Sequence, residues 1–214
     1  MYYKNDFLGK LQRRFGKFAI NNLMMYIVGA MAVVFVGSFA APFNLIGMFA
    51  FDTAAILQGE VWRIITFIAI PPAANVIFIV FVLYLYWLIG STLENQWGAF
   101  RFNVFYLCGF LGAIAAGLIT GYATNFYLNL SLFLAFAILF PNFELRLFFI
   151  LPIKIKWLAL LNLVFLAFEL AFGTWHTRAA VLVSLLNIVL FFGKDFVIII
   201  RNKQRRAKWR KSQK

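Results

Sequence analysis

The sequence alternates between long apolar runs and shorter polar segments. Six apolar runs have lengths near that of a membrane-spanning helix, which takes about 20 residues. They cover about residues 18–40, 74–92, 102–120, 126–140, 156–172 and 179–199. The fourth run is the shortest and stops at Pro141, because proline cannot continue a regular helix. The pattern therefore predicts an all-α polytopic membrane protein with six transmembrane helices in one bundle.

The segments outside the apolar runs define the ends of the chain and its connections. Residues 1–17 mix basic and apolar side chains, which predicts an amphipathic helix lying on the membrane surface. Residues 201–214 form a basic tail, and 18–200 are expected to form the membrane domain. The connection 41–73 is apolar for a loop, so we expect it to lie in the membrane interface. A polar link is expected at 91–101.

Composition supports the membrane assignment. Hydrophobic residues make up 64% of the 214 residues and charged residues 13%, whereas average soluble domains are about 45–50% apolar and about 25% charged. Mean hydropathy is +0.88. These values exclude an ordinary soluble domain and intrinsic disorder. Cys108 and His176 are single residues of their type, and no G-x-x-x-x-G-K loop occurs, so we expect no metal and no cofactor.

The charge distribution predicts an orientation. The formal net charge is +13. With six spans, 18 of the 20 Lys and Arg residues lie on the side of both termini, and only Arg63 and Arg178 lie opposite. The positive-inside rule then places both termini in the cytoplasm. No organelle signal is evident, which favours the inner membrane of a bacterium. Anionic lipid headgroups are the expected partner of the basic ends, and nucleic acid is not.

Two motifs flank the second apolar run. The first is G-E-V-W-R-I-I-T at 59–66, and the second is L-E-N-Q-W-G-A-F-R-F at 93–102. A tryptophan and an arginine suit the membrane interface, and Glu94 and Arg101 are expected to pair across a turn at Gly98. We interpret six motif residues as structural anchors: Trp62, Arg63, Glu94, Trp97, Gly98 and Arg101.

This ordered pair of motifs resembles the rhomboid superfamily, which includes rhomboid proteases and Derlin-type pseudoproteases. The resemblance is densest over 59–120 and extends weakly over roughly 55–200. It implies a six-helix bundle. In active members it also implies a G-x-S-G serine at the start of the fourth span, a histidine in the sixth, and a histidine and an asparagine in the second. This chain has no G-x-S-G, and the position of the nucleophile falls near Phe126.

The remaining candidates for serine chemistry are weak. Ser131 lies more than one turn beyond Phe126 and is flanked by leucines, and His176 lies at the outer end of the sixth span. A serine needs an adjacent base to become a nucleophile, so these two residues would have to meet. Asn75 stands at the very start of the second span without a histidine, so an oxyanion site is not supported.

Other polar and small residues lie inside the apolar runs. Glu169 is near the outer end of the fifth run, and Ser184 and Asn187 are in the middle of the sixth. We expect the last two to form hydrogen bonds between helices. Small residues recur every fourth position in the third run, a spacing that lets helices approach closely: Gly109, Ala113 and Gly117.

The chain has both motifs that resemble the rhomboid superfamily but lacks the G-x-S-G serine, which favours a non-catalytic function. The leading hypothesis is a rhomboid-like pseudoprotease that binds transmembrane segments of client proteins, in membrane-protein quality control or trafficking. A short fourth span and the apolar 41–73 connection would thin the bilayer locally and help a client helix to loosen. One alternative is a divergent intramembrane serine protease using Ser131 and His176. Another is a small transporter or lipid-handling protein, with Glu169, His176 and Asn187 lining a path.

Overall fold

A computed structural model of the chain describes residues 7–72, 75–147 and 151–192. Five of its helices are long and apolar enough to cross a membrane, and a sixth apolar helix is shorter. The chain is thus a helical, multi-pass membrane protein. Its helices are α1 (Phe7–Phe15), α2 (Leu23–Ala40), α3 (Leu45–Phe49), α4 (Thr53–Leu57), α5 (Arg63–Thr66), α6 (Val76–Trp97), α7 (Ala99–Thr120), α8 (Phe126–Leu139), α9 (Ile155–Phe172) and α10 (Trp175–Phe192).

The helix boundaries correct the sequence prediction at two places. The expected polar link 91–101 is largely helical, because α6 continues to Trp97 and α7 begins at Ala99. Gly98 alone separates them and has a φ of +84°, a conformation that glycine adopts without strain. The last helix begins at Trp175, four residues before the predicted start. Residues 193–199 of that predicted span lie outside the described residues.

The short helix α8 lies at the centre of the bundle. Its 14 residues span about 21 Å, less than the roughly 30 Å hydrocarbon core of a bilayer. Helices α6, α7 and α9 all pack against it. Protein rather than lipid therefore surrounds most of its surface, which makes a short helix acceptable at this depth. Its buried residues are Leu128, Asn129, Ser131, Leu132, Leu134, Ala135, Phe136 and Ala137.

The connection between α2 and α6, which we expected to be an apolar loop in the membrane interface, is a folded unit. It contains α3, α4, α5 and a 3₁₀ turn at Phe67–Ala69. Phe51 and Phe67 are fully buried in a small core of their own, in edge-to-face contact with ring centroids 5.5 Å apart. Strand β1 (Phe51–Asp52) pairs antiparallel with β2 (Tyr122–Ala123), which joins this unit to the connection between α7 and α8.

A β-hairpin lies between α8 and α9. Strand β3 (Glu144–Leu147) pairs antiparallel with β4 (Leu151–Lys154). The two small sheets are the only departures from the all-α prediction in the part of the chain that the structure describes. Helix α1 lies within the predicted amphipathic segment 1–17. Residues 1–6 of that segment and the basic tail 201–214 lie outside the described residues.

Candidate functional site

Arg63 holds together the unit between α2 and α6. Its Nη1 donates hydrogen bonds to the carbonyl oxygens of Gly47 (2.6 Å) and Ala50 (2.8 Å). Its Nε pairs with Glu60 Oε2 at 2.5 Å, and only 12% of its side chain is exposed. The planar guanidinium can serve all three acceptors at once, which a lysine ammonium cannot do with the same geometry. Arg63 is therefore an internal anchor of this unit.

Two neighbours of Arg63 in the motif act on the same segment. Trp62 Nε1 donates to the carbonyl of Met48 at 3.3 Å, and Thr66 Oγ1 donates to that of Phe49 at 3.1 Å. Trp62, Arg63 and Thr66 thus bind four successive carbonyl groups of residues 47–50. This explains why these residue types occur at this spacing at the start of α5.

Glu94 links α6 to the start of α2. Its Oε1 accepts a hydrogen bond from the backbone N–H of Asn22 at 2.6 Å, and only 8% of the residue is exposed. Asn22 has a φ of +56° and lies immediately before α2. A carboxylate at a helix N-terminus is stabilised by the helix dipole and by charge-assisted hydrogen bonding. We expected Arg101 as the partner of Glu94, but the structure gives this backbone N–H. Glu94 Oε2 has no hydrogen-bond partner among the described residues.

Trp97 and Gly98 shape the contact between α6, α7 and α10. The Trp97 ring lies 5.4 Å from the ring of Phe105 on α7 and 5.5 Å from that of Phe192 on α10. The tight turn at Gly98 brings α7 back beside α6. The second motif therefore fixes the packing of three long helices at one end of the bundle.

Ser131 and Asn187 meet in the centre of the bundle. Ser131 is fully buried, and its Oγ donates to the carbonyl of Leu128 at 2.7 Å. Asn187 Nδ2 lies 3.4 Å from Ser131 Oγ and 3.4 Å from the carbonyl oxygen of Phe105. Ser184 is also buried, and its Oγ has no hydrogen-bond partner among the described residues. Ser131 and Asn187 therefore join α7, α8 and α10 by polar contacts.

The structure does not bring His176 to Ser131. His176 is exposed near the start of α10, eleven residues before Asn187. At 1.5 Å per residue, about 16 Å of helix separates His176 from the level at which Asn187 meets Ser131. A general base must lie within hydrogen-bonding distance of its nucleophile, so the arrangement does not activate Ser131.

The small residues of α7 lie at close contacts. A Cβ on Gly109 would fall 2.5 Å from Leu128 on α8, and one on Gly117 would fall 2.6 Å from the ring of Phe51. Ala113 packs against the same small core as Phe51. The spacing of these residues thus places α7 against two different neighbours, which are α8 and the unit between α2 and α6.

A large groove opens between α6 and α9, with α8 as its floor. Its volume is about 860 Å³. Its walls are almost entirely apolar, and none of the described residues that line it is charged. The lining residues are Pro72; Phe78, Val82, Leu85, Tyr86 and Ile89 from α6; Phe126, Asn129, Leu130 and Phe133 from α8; and Leu158, Leu161, Asn162, Val164, Phe165 and Phe168 from α9.

Two amides in this groove lack full hydrogen bonding. Asn129 is only 2% exposed, and neither its Nδ2 nor its Oδ1 has a hydrogen-bond partner among the described residues. Tyr86, which also lines the groove, interacts with this amide. Asn162 Oδ1, on the facing helix α9, is also buried and accepts no hydrogen bond from the part of the chain that the structure describes. Both amide atoms of Asn129 and Oδ1 of Asn162 therefore lie buried directly beneath the apolar surface of the groove.

Sequence reasoning missed Asn125, Asn129 and Asn162. Asn125 Nδ2 donates to the carbonyls of Ile68 (3.0 Å) and Ile70 (2.8 Å), which ties the start of α8 to the end of the unit between α2 and α6. Asn125 and Asn129 are four residues apart and so lie near each other on the surface of α8. That spacing was the available signal. Glu169 is half-buried near the end of α9 and lies outside the groove lining.

Comparison with known proteins gives no match: no family model, no curated protein and no solved structure matches this chain. The fold and the groove define a helical multi-pass membrane protein with an apolar lateral groove. The case for a more specific function rests on the side chains of this groove and on the two motifs.

Proposed function

We propose that this chain is a non-catalytic, rhomboid-like membrane protein that binds transmembrane segments of client proteins in the α6–α9 groove. The observation that carries the proposal is Asn129, a buried amide at the floor of an apolar groove that has no hydrogen-bond partner among the described residues. Such a site suits an apolar helix that carries a polar group or a distorted turn.

The groove has the form that a helix needs. Helix α9 packs on α8 and on β4, and its outer surface is widely exposed. Leu161 and Val164 on the groove wall are 69% and 61% exposed. In a bilayer, helices associate by close packing and by hydrogen bonds between polar groups, because apolar surface gains nothing by leaving lipid. A client helix would obtain packing from the walls and a hydrogen bond from the floor.

Asn129 gives the groove an energetic reason to bind a polar group of a client. A buried amide without partners costs free energy, of the order of 1 kcal/mol in a membrane interior. A polar side chain or a free carbonyl from a client would satisfy both Asn129 and itself. This gain is available to helices with polar or weakened turns and not to uniformly apolar ones.

The proposed topology has six spans: α2, α6, α7, α8, α9 and α10. An even number puts both termini on one side, which the positive-inside rule makes the cytoplasm of a bacterial cell. The contact of α1 with α7 and the Glu94–Asn22 hydrogen bond place α1 at the same end as the α6–α7 turn. That end carries Arg13, Arg14 and Arg101.

The non-catalytic part of the proposal rests on two observations. The Arg63 and Glu94 contacts give a structural role to the two motifs that resemble those of the rhomboid superfamily. Ser131 instead contacts Leu128 and Asn187, while His176 is exposed at the outer end of α10. No observation favours the serine protease, and the pseudoprotease remains the better proposal.

Photocrosslinking in native membranes tests this function. A benzoylphenylalanine at Leu161, on the groove wall, should give adducts with integral membrane proteins. The matched control is Val33 on α2, which is 72% exposed and does not line the groove. The proposal expects discrete protein adducts from position 161 and only lipid adducts from position 33. Equal adduct patterns from both positions, or no protein adducts from position 161, would overturn it.

A further inference from the structure

A second crevice lies on the opposite flank of α9, between α9 and α10. Its volume is about 440 Å³, and α8 forms its floor through Leu134 and Ala137. Leu160 and Leu163 from α9 face Leu185 from α10 across it. It differs from the α6–α9 groove in one respect: a charged residue, Lys156, lines it.

Lys156 stands at the end of this crevice where α9 begins. Its backbone N–H donates to the carbonyl of Pro141 at 3.2 Å, which fixes the first turn of α9 beside the end of α8. Its side chain is exposed, and Nζ lies 5.6 Å from the centre of the Trp157 ring. Trp157 is 60% exposed, as expected of an indole at a membrane interface. A lysine at this level extends its ammonium group to the headgroups while its stem lies on apolar surface.

The neighbouring charges leave Lys156 available to a ligand. Lys154 Nζ lies 4.0 Å from Glu144 Oε1, so the nearby carboxylate of the hairpin faces Lys154. The ion pairs formed among the described residues do not include Lys156. The first turn of α9 contains no acidic residue. The mouth of the crevice is therefore positive, and its interior is apolar.

We propose that this crevice binds one anionic phospholipid. An acyl chain lies between α9 and α10 against Leu134 and Ala137, and the headgroup phosphate pairs with Lys156. The charge of Lys156 selects an anionic lipid over a zwitterionic one. Because the crevice encloses its acyl chain, this lipid exchanges more slowly than the lipids that surround the rest of the protein. This site is independent of client binding, because it lies on the other flank of α9.

Native mass spectrometry of the full chain tests the charge. The protein would be released from micelles containing equal amounts of palmitoyl-oleoyl phosphatidylglycerol and phosphatidylcholine. The proposal expects one retained phosphatidylglycerol in wild type and a loss of selectivity of about fivefold in Lys156→Gln, since one lysine near an anionic headgroup contributes about 1 kcal/mol. Lys154→Gln, at an exposed lysine that faces Glu144 and does not line the crevice, should leave the selectivity unchanged. Equal effects of both variants, or none from Lys156→Gln, would overturn the proposal.

A second variant tests the acyl chain. Leu160 is 53% exposed and lines the crevice, so Leu160→Trp fills it with little disturbance of the core. Lipid retention should fall several-fold in Leu160→Trp and stay at the wild-type level in Val33→Trp, on an exposed face of α2. Undiminished retention in Leu160→Trp would show that the lipid lies elsewhere.

Discussion

Glu94 Oε1 accepts a hydrogen bond from the backbone N–H of Asn22 at 2.6 Å, across 72 residues of sequence. The contact joins the end of α6 to the start of α2. A carboxylate near the end of an apolar helix would ordinarily reach water, but here it is buried and caps a different helix. One residue thus fixes the relative position of two long helices.

Removing this cap should destabilise the bundle. Glu94→Ala is expected to lower the free energy of unfolding by about 1.5–3 kcal/mol, the usual value for a hydrogen bond to a charged group. Glu94→Gln keeps an acceptor but loses the charge, so its effect should be smaller. Titration with sodium dodecyl sulfate in mixed micelles measures both.

Glu144→Ala is the control for this series. Glu144 is 57% exposed at its side chain and lies 4.0 Å from Lys154, so its loss should change the free energy of unfolding by less than about 0.5 kcal/mol. If Glu94→Ala were as mild as Glu144→Ala, the Asn22 contact would have no structural importance.

Gly109 and Gly29 form a matched pair. A Cβ on Gly109 would meet Leu128 at 2.5 Å and the amide of Asn187 at 2.8 Å, whereas nothing lies within 4 Å of a Cβ on Gly29. Gly109→Ala should therefore cost about 1–3 kcal/mol by overpacking. Gly29→Ala should be neutral or stabilise α2 by up to about 1 kcal/mol. The free energies of unfolding of Gly109→Ala and Gly29→Ala, measured under identical conditions, test this difference. Equal stabilities would argue against the close packing of α7 on α8.

Arg63→Lys should loosen the unit between α2 and α6. Lysine keeps the charge but cannot donate to Gly47, Ala50 and Glu60 together. We expect hydrogen–deuterium exchange at residues 47–50 to accelerate roughly tenfold, which corresponds to a loss of about 1.4 kcal/mol in local stability. Exchange in α7 should not change. Arg14→Lys, an exposed substitution on α1, should leave both regions as in wild type.

Ser131 should not behave as a nucleophile. A fluorophosphonate probe is expected to label wild type, Ser131→Ala and His176→Ala alike, at background level, in detergent and in liposomes. Ser131→Ala should lower the free energy of unfolding by only about 1 kcal/mol. The hydroxyl donates within its own helix to the carbonyl of Leu128, and Asn187 Nδ2 keeps the carbonyl of Phe105 as an acceptor. Labelling that disappears in both variants would establish a catalytic dyad and contradict the non-catalytic proposal.

The apolar runs predicted the long helices because a bilayer-crossing helix needs a continuous apolar stretch of fixed length. The apolar runs did not predict the local structure correctly where side chains are buried by other parts of the protein instead of by lipid. Residues 91–97 are polar enough to suggest a link, yet they continue α6, and Glu94 is buried there with the backbone N–H of Asn22, just before α2, as its partner. The same holds for residues 41–72, whose apolar side chains form a core around Phe51 and Phe67.

The candidate site was only partly visible in the sequence. Trp62, Arg63, Glu94 and Trp97 were recognisable as anchors because tryptophan and charged residues are unusual beside apolar runs. Their partners were not, since Gly47, Ala50 and Asn22 act through backbone groups that any residue carries. Asn129 looked like other polar residues in leucine-rich helices, because sequence cannot show that an amide lacks a hydrogen-bond partner.

The measurement that tests the central claim most directly is a parallel comparison of stability and client crosslinking for Asn129→Leu. If the amide serves client binding, its removal should leave the free energy of unfolding unchanged or raise it by about 1 kcal/mol, because an unsatisfied buried amide disappears. Crosslinking from position 161 to membrane proteins should fall several-fold at the same time. A loss of stability with undiminished crosslinking would contradict the account and make Asn129 a structural residue.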